Sequence, residues 1–485
     1  MSIKQQVTKS VFWSAVERFS VQGVQFILSL IIARLLLPAD YGLIAMLSIF
    51  MSIAQTFIDS GFANALIQKK DRTDADYSTV FYFNIVISVL IYLLLYMSSP
   101  WIAKFYEEDQ LAPIARGIGL TLIINSFGIV QQAKMTISLD FKRQAQASLS
   151  AVVLSGGVGV WLAYSGYGAW ALVYQSLLNN FFRVVLVWFF SGWMPGRSFS
   201  LESFRTLFSF GSKLLLSSLL HTLYKNLYTL IIGKKFSAAE LGYYNRAFTL
   251  AQFPSTNLTD VIVRAVYPIQ CRLQDDEEAL SRMFLRYMRM ACFLVFPVML
   301  ILCALADPLV RLLLTDKWIE AVPLLQILCI AYMWDPVMKI NNSLLNVKGR
   351  SDYFLYAEIL KKTMAFLILF ATIPLGVKGM CAGLILYSFV DMIIITYYTR
   401  KLTRLGMFVQ ICELSPILFL TFTMGGIVYV ITLLSIPPFA QLVIGGSVGI
   451  AYYLYLSYLF NFQEFDLIKH LVKEKINLKG LIGSF

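Results

Sequence analysis

The chain has 485 residues, of which 58% are hydrophobic and 14% are charged, and its formal net charge is +12. A soluble domain carries roughly 25% charged residues, so this composition excludes a water-soluble globular protein, whose surface needs more polar groups. The basic excess does not indicate a nucleic-acid partner, because no basic stretch is interleaved with aromatic residues.

Apolar runs of about 20 residues, the length that crosses a hydrocarbon core, recur along the whole chain. Lipid offers no hydrogen-bond partners to the backbone, so such runs are expected to be α-helices. The sequence therefore predicts an all-α integral membrane protein with about 14 transmembrane helices. The predicted helices cover residues 10–36, 41–66, 77–98, 113–135, 144–165, 168–190, 206–232, 239–265, 284–305, 320–346, 352–374, 378–399, 412–435 and 438–461.

The distribution of Lys and Arg predicts the orientation of these helices. The N-terminus is basic, and the apolar run 11–37 is too long for the core of a signal peptide, so this run is expected to be the first span. With the N-terminus in the cytoplasm, the inward segments and their flanking turns hold 26 of the 40 Lys and Arg, whereas the outward links hold eight. Both ends of the chain are therefore predicted to be cytoplasmic.

One segment of the sequence repeats at an offset of 200 residues. Residues 31–42 read IIARLLLPADYG and residues 231–242 read IIGKKFSAAELG, which aligns Gly42 with Gly242. The repeat spans six predicted helices, an even number that preserves orientation and therefore predicts two parallel, pseudo-symmetric lobes. The predicted division is an N-terminal lobe (1–200), a C-terminal lobe (201–404), and two extra C-terminal helices with a cytoplasmic tail (405–485). The alternative is that two outward turns resemble each other without a repeat.

Charged side chains within the predicted spans are the first indication of a functional path. A charge at the bilayer centre costs roughly 2.5–3.5 kcal/mol on insertion scales, so such residues are expected to face water, each other or the headgroups. Arg183, Asp335 and Asp391 lie deepest, and amides such as Asn125 indicate helix faces that avoid lipid. The charged residues within the spans are Glu17, Arg18, Asp59, Arg183, Lys213, Lys225, Arg246, Asp260, Asp335, Lys339 and Asp391.

Three readings of these polar groups stay open from the residues alone. Charges near a helix end are explained by snorkelling or interfacial pairing, and amides by hydrogen bonds between helices. The third reading is a polar lumen, which would suit a sugar chain that carries phosphate.

Sequence motifs for enzymatic chemistry are missing. The chain has six Cys without a C-x-x-C pair and two His, so neither a metal site nor a cofactor is predicted. It contains no P-loop, no G-x-S-x-G elbow and no H-E-x-x-H motif. The sequence therefore predicts a carrier and not an enzyme, with transport driven by an ion gradient or by consumption of the substrate on the far side.

Several segments follow a recognisable order and spacing. They are ARLLLPADYGLIAM (33–46), DSGFANALIQKKD (59–71), PWIAKFY (100–106), GYGAWALVYQ (166–175), FSFGSKLLLSSLL (208–220), GKKFSAAELGYYNRA (233–247) and DKWIEAVPLLQILCI (316–330). In these segments the chain resembles Wzx-type polysaccharide-repeat flippases, within the multidrug, oligosaccharidyl-lipid and polysaccharide exporter superfamily. The branch of colanic and teichuronic acid exporters is the most similar one. Thr315 departs from the family pattern, which often has Gly there.

The resemblance implies fourteen helices in two lobes of six plus two, and alternating access between inward-open and outward-open forms. The implied substrate is an undecaprenyl-pyrophosphate-linked oligosaccharide, flipped across a bacterial plasma membrane for O-antigen, capsule or exopolysaccharide synthesis. The expected partners are this substrate, the phospholipid bilayer, and the polysaccharide polymerase with its chain-length machinery.

The candidate site residues combine this substrate with the charges in the spans. Arg18, Lys213 and Arg264, near the inner mouth, are expected to meet the pyrophosphate, because Arg and Lys suit phosphate oxygens. Further candidate substrate-binding cations are Arg183, Lys225 and Arg246. The candidates for ion coupling, with a proton or sodium, or for pairing with those cations are Asp59, Asp260 and Asp391.

Two other functions compete with the flippase. One is a small-molecule or drug antiporter of the same superfamily, whose cavity for cations should be acidic, whereas the spans hold six bases and five acids. The other is a membrane enzyme such as a polysaccharide polymerase, which needs a sizeable outward loop with catalytic residues. The outward links here are short, which argues against it.

Overall fold

The computed structural model describes residues 3–59, 62–69, 71–466 and 469, and no β-strand occurs among them. The all-α prediction is therefore confirmed for the described part of the chain. The helices are α1 (Ile3–Leu35), α2 (Pro38–Asp59), α3 (Phe62–Gln68), α4 (Asp74–Tyr106), α5 (Leu111–Ser126), α6 (Ile129–Ile137), α7 (Phe141–Tyr164), α8 (Ala169–Ser191), α9 (Leu201–Lys225), α10 (Leu227–Lys235), α11 (Ala238–Arg272), α12 (Glu277–Ala304), α13 (Ala306–Leu313), α14 (Ala321–Tyr332), α15 (Asp335–Val347), α16 (Ser351–Thr372), α17 (Gly376–Thr403), α18 (Met407–Thr432) and α19 (Pro438–Leu459).

Each predicted span coincides with one helix or with two consecutive helices. Four predicted spans are interrupted, and the interrupted pairs are α2/α3, α5/α6, α9/α10 and α14/α15. Within the described residues, nine helical segments are long and apolar enough to cross a membrane, or ten when the bent pair α5/α6 counts as one span. The chain is a multi-pass membrane protein, and the exact count of fourteen crossings stays a prediction.

Capping groups explain where the long helix α4 begins and ends. Thr73 precedes the helix, and its side chain accepts a hydrogen bond from the Asp76 N–H while the Asp76 carboxylate accepts one from the Thr73 N–H. This capping box satisfies backbone donors that a helix start leaves without partners. At the other end Glu107 adopts a left-handed conformation with φ 61°, which stops the helix.

The chain divides into two compact units, residues 1–245 and 246–485, here called unit 1 and unit 2. In unit 1, α1 packs on α7, α7 on α8, α4 on α5, and α9 on α2. In unit 2, α12 packs on α18, α17 on α14 and α16, and α18 on α19. The predicted lobes (1–200 and 201–404) were defined by the sequence repeat, whereas the two units are defined by compactness. The lobes therefore stay a prediction.

The repeated turns have matching caps. The Leu37 N–H donates to the Asp40 carboxylate over 2.9 Å, and the Ser237 N–H donates to the Glu240 carboxylate over 3.1 Å. The same type of hydrogen bond therefore caps the start of α2 and the start of α11. The two caps are 200 residues apart in the sequence. The two turns therefore share a cap as well as a sequence pattern, and the six-helix repeat stays a prediction.

The same two helix starts also contact each other within unit 1. Gly42 lies directly against the carbonyl group of Ala238, and Gly242 lies directly against the carbonyl group of Pro38. A Cβ atom on either glycine would collide with that carbonyl, so only glycine permits this close approach. The contact is reciprocal, as expected for a local two-fold axis between repeated elements.

Candidate functional site

A polar cavity of about 430 Å³ lies within unit 1. It is formed where α2 ends, where the chain bends by 42° between α5 and α6, and along the middle of α8. Its polar lining residues are Gln55, Asp59, Asn125, Gln132, Asn180 and Arg183. The interruption between α5 and α6 matters because it ends α5 just after Asn125, so this amide faces the cavity at a helix end.

Arg183 is the cation of this cavity and is held by two amides. Its Nη2 atom donates to Asn125 Oδ1 over 2.6 Å and to Asn180 Oδ1 over 3.2 Å. Asn180 and Arg183 are three residues apart on α8 and therefore share one face of the helix. The two amides orient the guanidinium, whose planar set of N–H donors suits phosphate or carboxylate oxygens.

Asp59, the last residue of α2, joins this cavity to a second one of about 470 Å³. Asp59 accepts a hydrogen bond from Gln55 Nε2 over 2.8 Å, and both residues line both cavities. The second cavity is also lined by Lys225, which is exposed at the end of α9. Unit 1 thus presents two cations and one carboxylate to two neighbouring polar cavities.

In unit 2 a lysine lies between two carboxylates. Lys339 Nζ lies 2.8 Å from Asp260 Oδ1 and 3.2 Å from Asp335 Oδ2. Thr256 Oγ1 donates to the same Asp335 oxygen over 3.4 Å. Asp335 is the first residue of α15, and the helix dipole stabilises a negative charge there. This cluster joins α11 to α15 near a helix interruption.

A second ionised cluster of unit 2 joins α15, α16 and α17, and its central pair, Lys361 and Asp391, is buried. Lys361 is only 2% exposed, and its Nζ lies 3.0 Å from Asp391 Oδ1 and 3.5 Å from Glu358 Oε1. The same ammonium donates to Asn342 Oδ1 over 3.1 Å. Asp391, predicted to couple an ion or to pair with the substrate-binding cations, has Lys361 as its partner here, and its role stays a prediction. A charge buried this deeply is tolerated because its partners replace water.

The remaining predicted residues lie in different surroundings. Arg246 is 7% exposed, and its guanidinium lies over the Trp318 ring at 5.7 Å from the centroid. Arg264 is exposed on α11. The side chains of Arg18 and Lys213 lie outside the described part of the structure. Substrate binding by these four residues stays a prediction.

Sequence reasoning missed Lys361 and Glu358, because it placed them too near the inner end of their predicted span. The usable signal was their spacing: a base three residues after an acid on an otherwise apolar helix is a pair on one face. What the sequence lacked was the distance from Lys361 to Asp391, since these residues lie on different helices.

The sequence of this chain is similar to those of known proteins. The sequence profile of a family described as polysaccharide biosynthesis protein matches residues 31–323. The teichuronic acid biosynthesis protein TuaB of Bacillus subtilis is 27% identical over 377 residues, which are 77% of this chain and 78% of TuaB. The lipopolysaccharide biosynthesis protein WzxC of Escherichia coli is 26% identical over 410 residues, which are 84% of this chain and 83% of WzxC.

Among solved structures, the lipid II flippase MurJ in an inward closed conformation is similar in fold. The TM-score is 0.74 at 13% sequence identity, and the match covers 94% of this chain and 100% of the MurJ chain. At this identity the likeness shows a shared fold.

Proposed function

Because the chain belongs to the polysaccharide biosynthesis protein family, we propose that it is a flippase for undecaprenyl-pyrophosphate-linked oligosaccharide repeat units. Membership of this family confirms the resemblance to Wzx-type flippases. The proposed site of action is the bacterial plasma membrane, with both chain ends in the cytoplasm. The units would serve surface polysaccharide synthesis, as the names of the relatives TuaB and WzxC indicate for those proteins.

The observation that carries this proposal is the polar cavity of unit 1. An anionic, sugar-bearing headgroup needs cations for its phosphates and hydrogen-bonding side chains for its hydroxyl groups. Arg183 and Lys225 would supply the cations, and Asn125, Gln132 and Asn180 the amides. The predicted contacts of Arg18, Lys213 and Arg264 with the pyrophosphate remain part of the proposal.

Asp59 gives this site a way to release its substrate. The carboxylate lines both cavities and competes with a phosphate for the nearby cations. Protonation, or a bound sodium ion, would weaken that competition and favour substrate binding. Alternating access would then follow from a difference in substrate affinity between two conformations, without covalent chemistry. Asp260 and Asp391 would bind a coupling proton or sodium ion in the same way only after separating from their lysine partners.

The test uses purified full-length protein in vesicles that contain a fluorescent lipid-linked oligosaccharide. Arg183→Gln should slow flipping at least about tenfold, because a charge-assisted hydrogen bond is worth about 1.5–3 kcal/mol. Arg183→Lys should retain part of the activity. Normal flipping by Arg183→Gln would exclude this cavity from the substrate path.

A matched control is Arg116→Gln. Arg116 is a half-buried arginine of the same unit that bonds Ser99 over 2.8 Å and lies over Tyr96, and it does not line the cavity. Its replacement tests whether the loss of any arginine from these helices impairs flipping. A loss as large as that of Arg183→Gln would indicate general damage to the fold.

A further inference from the structure

The bend between α5 and α6, which forms one wall of the polar cavity, is a short turn at Phe127 and Gly128. In this turn the Gly128 N–H donates to the Asn125 carbonyl over 2.9 Å. A turn that interrupts a helix leaves backbone carbonyls without their helical partners. The groups that replace those partners therefore decide where α5 stops and in which direction α6 continues.

One carbonyl of this turn accepts hydrogen bonds from two side chains. Trp188 Nε1, on α8, donates to the Phe127 carbonyl over 2.7 Å. With its amide oriented so that both atoms have partners, Gln131 donates to the same carbonyl over 2.7 Å and accepts from Trp188 Nε1 over 3.1 Å. A carbonyl oxygen has two lone pairs, so it can accept both donors. Phe127, Gln131 and Trp188 thus form a closed set of hydrogen bonds, here called the bend clamp.

The bend clamp is covered by an aromatic side chain of a third helix. Phe81 of α4 packs edge to face against Phe127 and Trp188, with ring centroids 6.1 Å and 5.9 Å away. Gln131 is fully buried. Burial strengthens such hydrogen bonds and makes an unpaired donor or acceptor costly. The clamp is therefore expected to keep the bend in one geometry.

The clamp and the cavity share the same two helices. Asn125 lies two residues before Phe127 and accepts a hydrogen bond from Arg183 over 2.6 Å. Trp188 lies five residues after Arg183 on α8. The end of α5 is thus tied to α8 at two levels, once inside the cavity and once beside it. A change in the bend would move Asn125 relative to Arg183.

We propose that Trp188 and Gln131 are positioning residues of the polar cavity, because by fixing the bend they set the place of Asn125 against Arg183. The inference rests on the proposed function, since it assigns the two residues to the substrate site of a flippase. Neither residue contacts the substrate in this role. Their effect passes through the guanidinium, whose hydrogen bonds depend on distance and angle.

The first test measures the bend without any substrate. Hydrogen–deuterium exchange of the full-length protein in detergent micelles reports how often the backbone amides of residues 126–133 open. Trp188→Phe keeps the ring contact with Phe81 but removes the N–H donor. It should speed this exchange about threefold to tenfold, the effect of one hydrogen bond. The matched control is Trp161→Phe, on α7 and 63% exposed, which should leave the exchange unchanged.

The second test asks whether the clamp acts through Asn125. In the vesicle assay, Trp188→Phe should raise the substrate concentration at half-maximal flipping about threefold to tenfold and change the maximal rate less than about twofold, the pattern of weakened binding. In an Asn125→Ala background the same substitution should cause no further rise, because the residue that it positions is gone. Adding Gln131→Leu to Trp188→Phe should enlarge the effect, since the Phe127 carbonyl then loses both donors.

Either of two results would overturn the inference. Unchanged exchange in Trp188→Phe would show that the clamp does not hold the bend. Faster exchange with an unchanged half-maximal concentration, or an equal rise with and without Asn125, would show that the bend does not position the cavity. Failure of the proposed function alone would look different, since Arg183→Gln would then flip the substrate normally while exchange in Trp188→Phe still increased.

Discussion

The ionised side chains of unit 1 and unit 2 lie in different surroundings. In unit 1, Arg183 and Asp59 face a polar cavity, and neutral amides hold the guanidinium. In unit 2, Lys361 and Asp391 contact each other directly in a dry interior. Apolar helices thus tolerate charge in two ways, by hydration or by pairing. The charges at the cavity are the ones that we propose to bind the substrate, whereas the paired charges mainly stabilise the helix packing.

The largest expected effect concerns the dry pair. Lys361→Met should lower the free energy of unfolding by about 3–5 kcal/mol, because it leaves Asp391 as an unpaired buried carboxylate. The measurement is unfolding of the purified protein in detergent micelles by a denaturant titration. Lys361→Met with Asp391→Leu should recover most of the loss, since no charge then remains unpaired. A single-variant cost below about 1 kcal/mol would mean that water reaches this cluster.

The close contact between the starts of α2 and α11 allows helix packing to be tested within unit 1, which also holds the cavity. Gly42→Ala should cost about 1–3 kcal/mol, because the new Cβ atom would force the Ala238 backbone away. Gly157→Ala is the matched control, since Gly157 lies in α7 with open space around its Cα. The control should be neutral or slightly stabilising in the same unfolding titration. Equal effects of the two variants would contradict the close crossing.

Arg183→Met should change stability less than either of these variants, by at most about 1 kcal/mol. Cavity water can replace the guanidinium as a partner for Asn125 and Asn180, so no buried polar group is left without a hydrogen bond. Arg183→Met should therefore change the free energy of unfolding only slightly and the flipping rate strongly. A stability loss as large as that of Lys361→Met would remove the contrast between the two regions.

The smallest effect is expected at the surface of unit 1, where Lys234 Nζ lies 2.8 Å from Glu107 Oε1. The hydrogen bond and charge of Lys234 hold the pKa of Glu107 below its ordinary value of 4.5. A carboxyl with a lowered folded-state pKa stabilises the fold above its unfolded-state pKa, and the gain disappears as the pH falls through the folded-state value.

Glu107→Gln should therefore leave the unfolding midpoint unchanged near pH 7 within a small margin and alter its pH slope only below about pH 4.5. The measurement is the unfolding midpoint as a function of pH, with the wild type in parallel. A slope change centred above pH 5 would show that the pair does not lower the pKa.

Much of the fold was predictable because it depends on local patterns. Helix positions follow from apolar length, and the turns at 37–40 and 237–240 follow from a carboxylate three residues after the capped N–H. The interruptions were harder to predict. The bend between α5 and α6, for instance, lies within one predicted span, and the average hydropathy of that span does not locate it.

The candidate site was predictable only as a set of residue types. Arg183, Asp59 and the amides stand out because they are costly in a membrane, and that cost is a property of each residue alone. Which of them meet depends on helix rotation and on the α5/α6 bend, and these are set by packing. Lys361 shows the same limit, because its burial against Asp391 joins two helices.

By itself the sequence determined that this chain lies in a membrane as a bundle of helices with a repeated turn, because hydropathy, charge bias and capping act over a few residues. Only the tertiary structure decided that Arg183 and Asp59 share a cavity while Lys361 and Asp391 form a dry pair. The physical reason is that hydration and pairing depend on distances between helices, which packing sets and no single segment encodes.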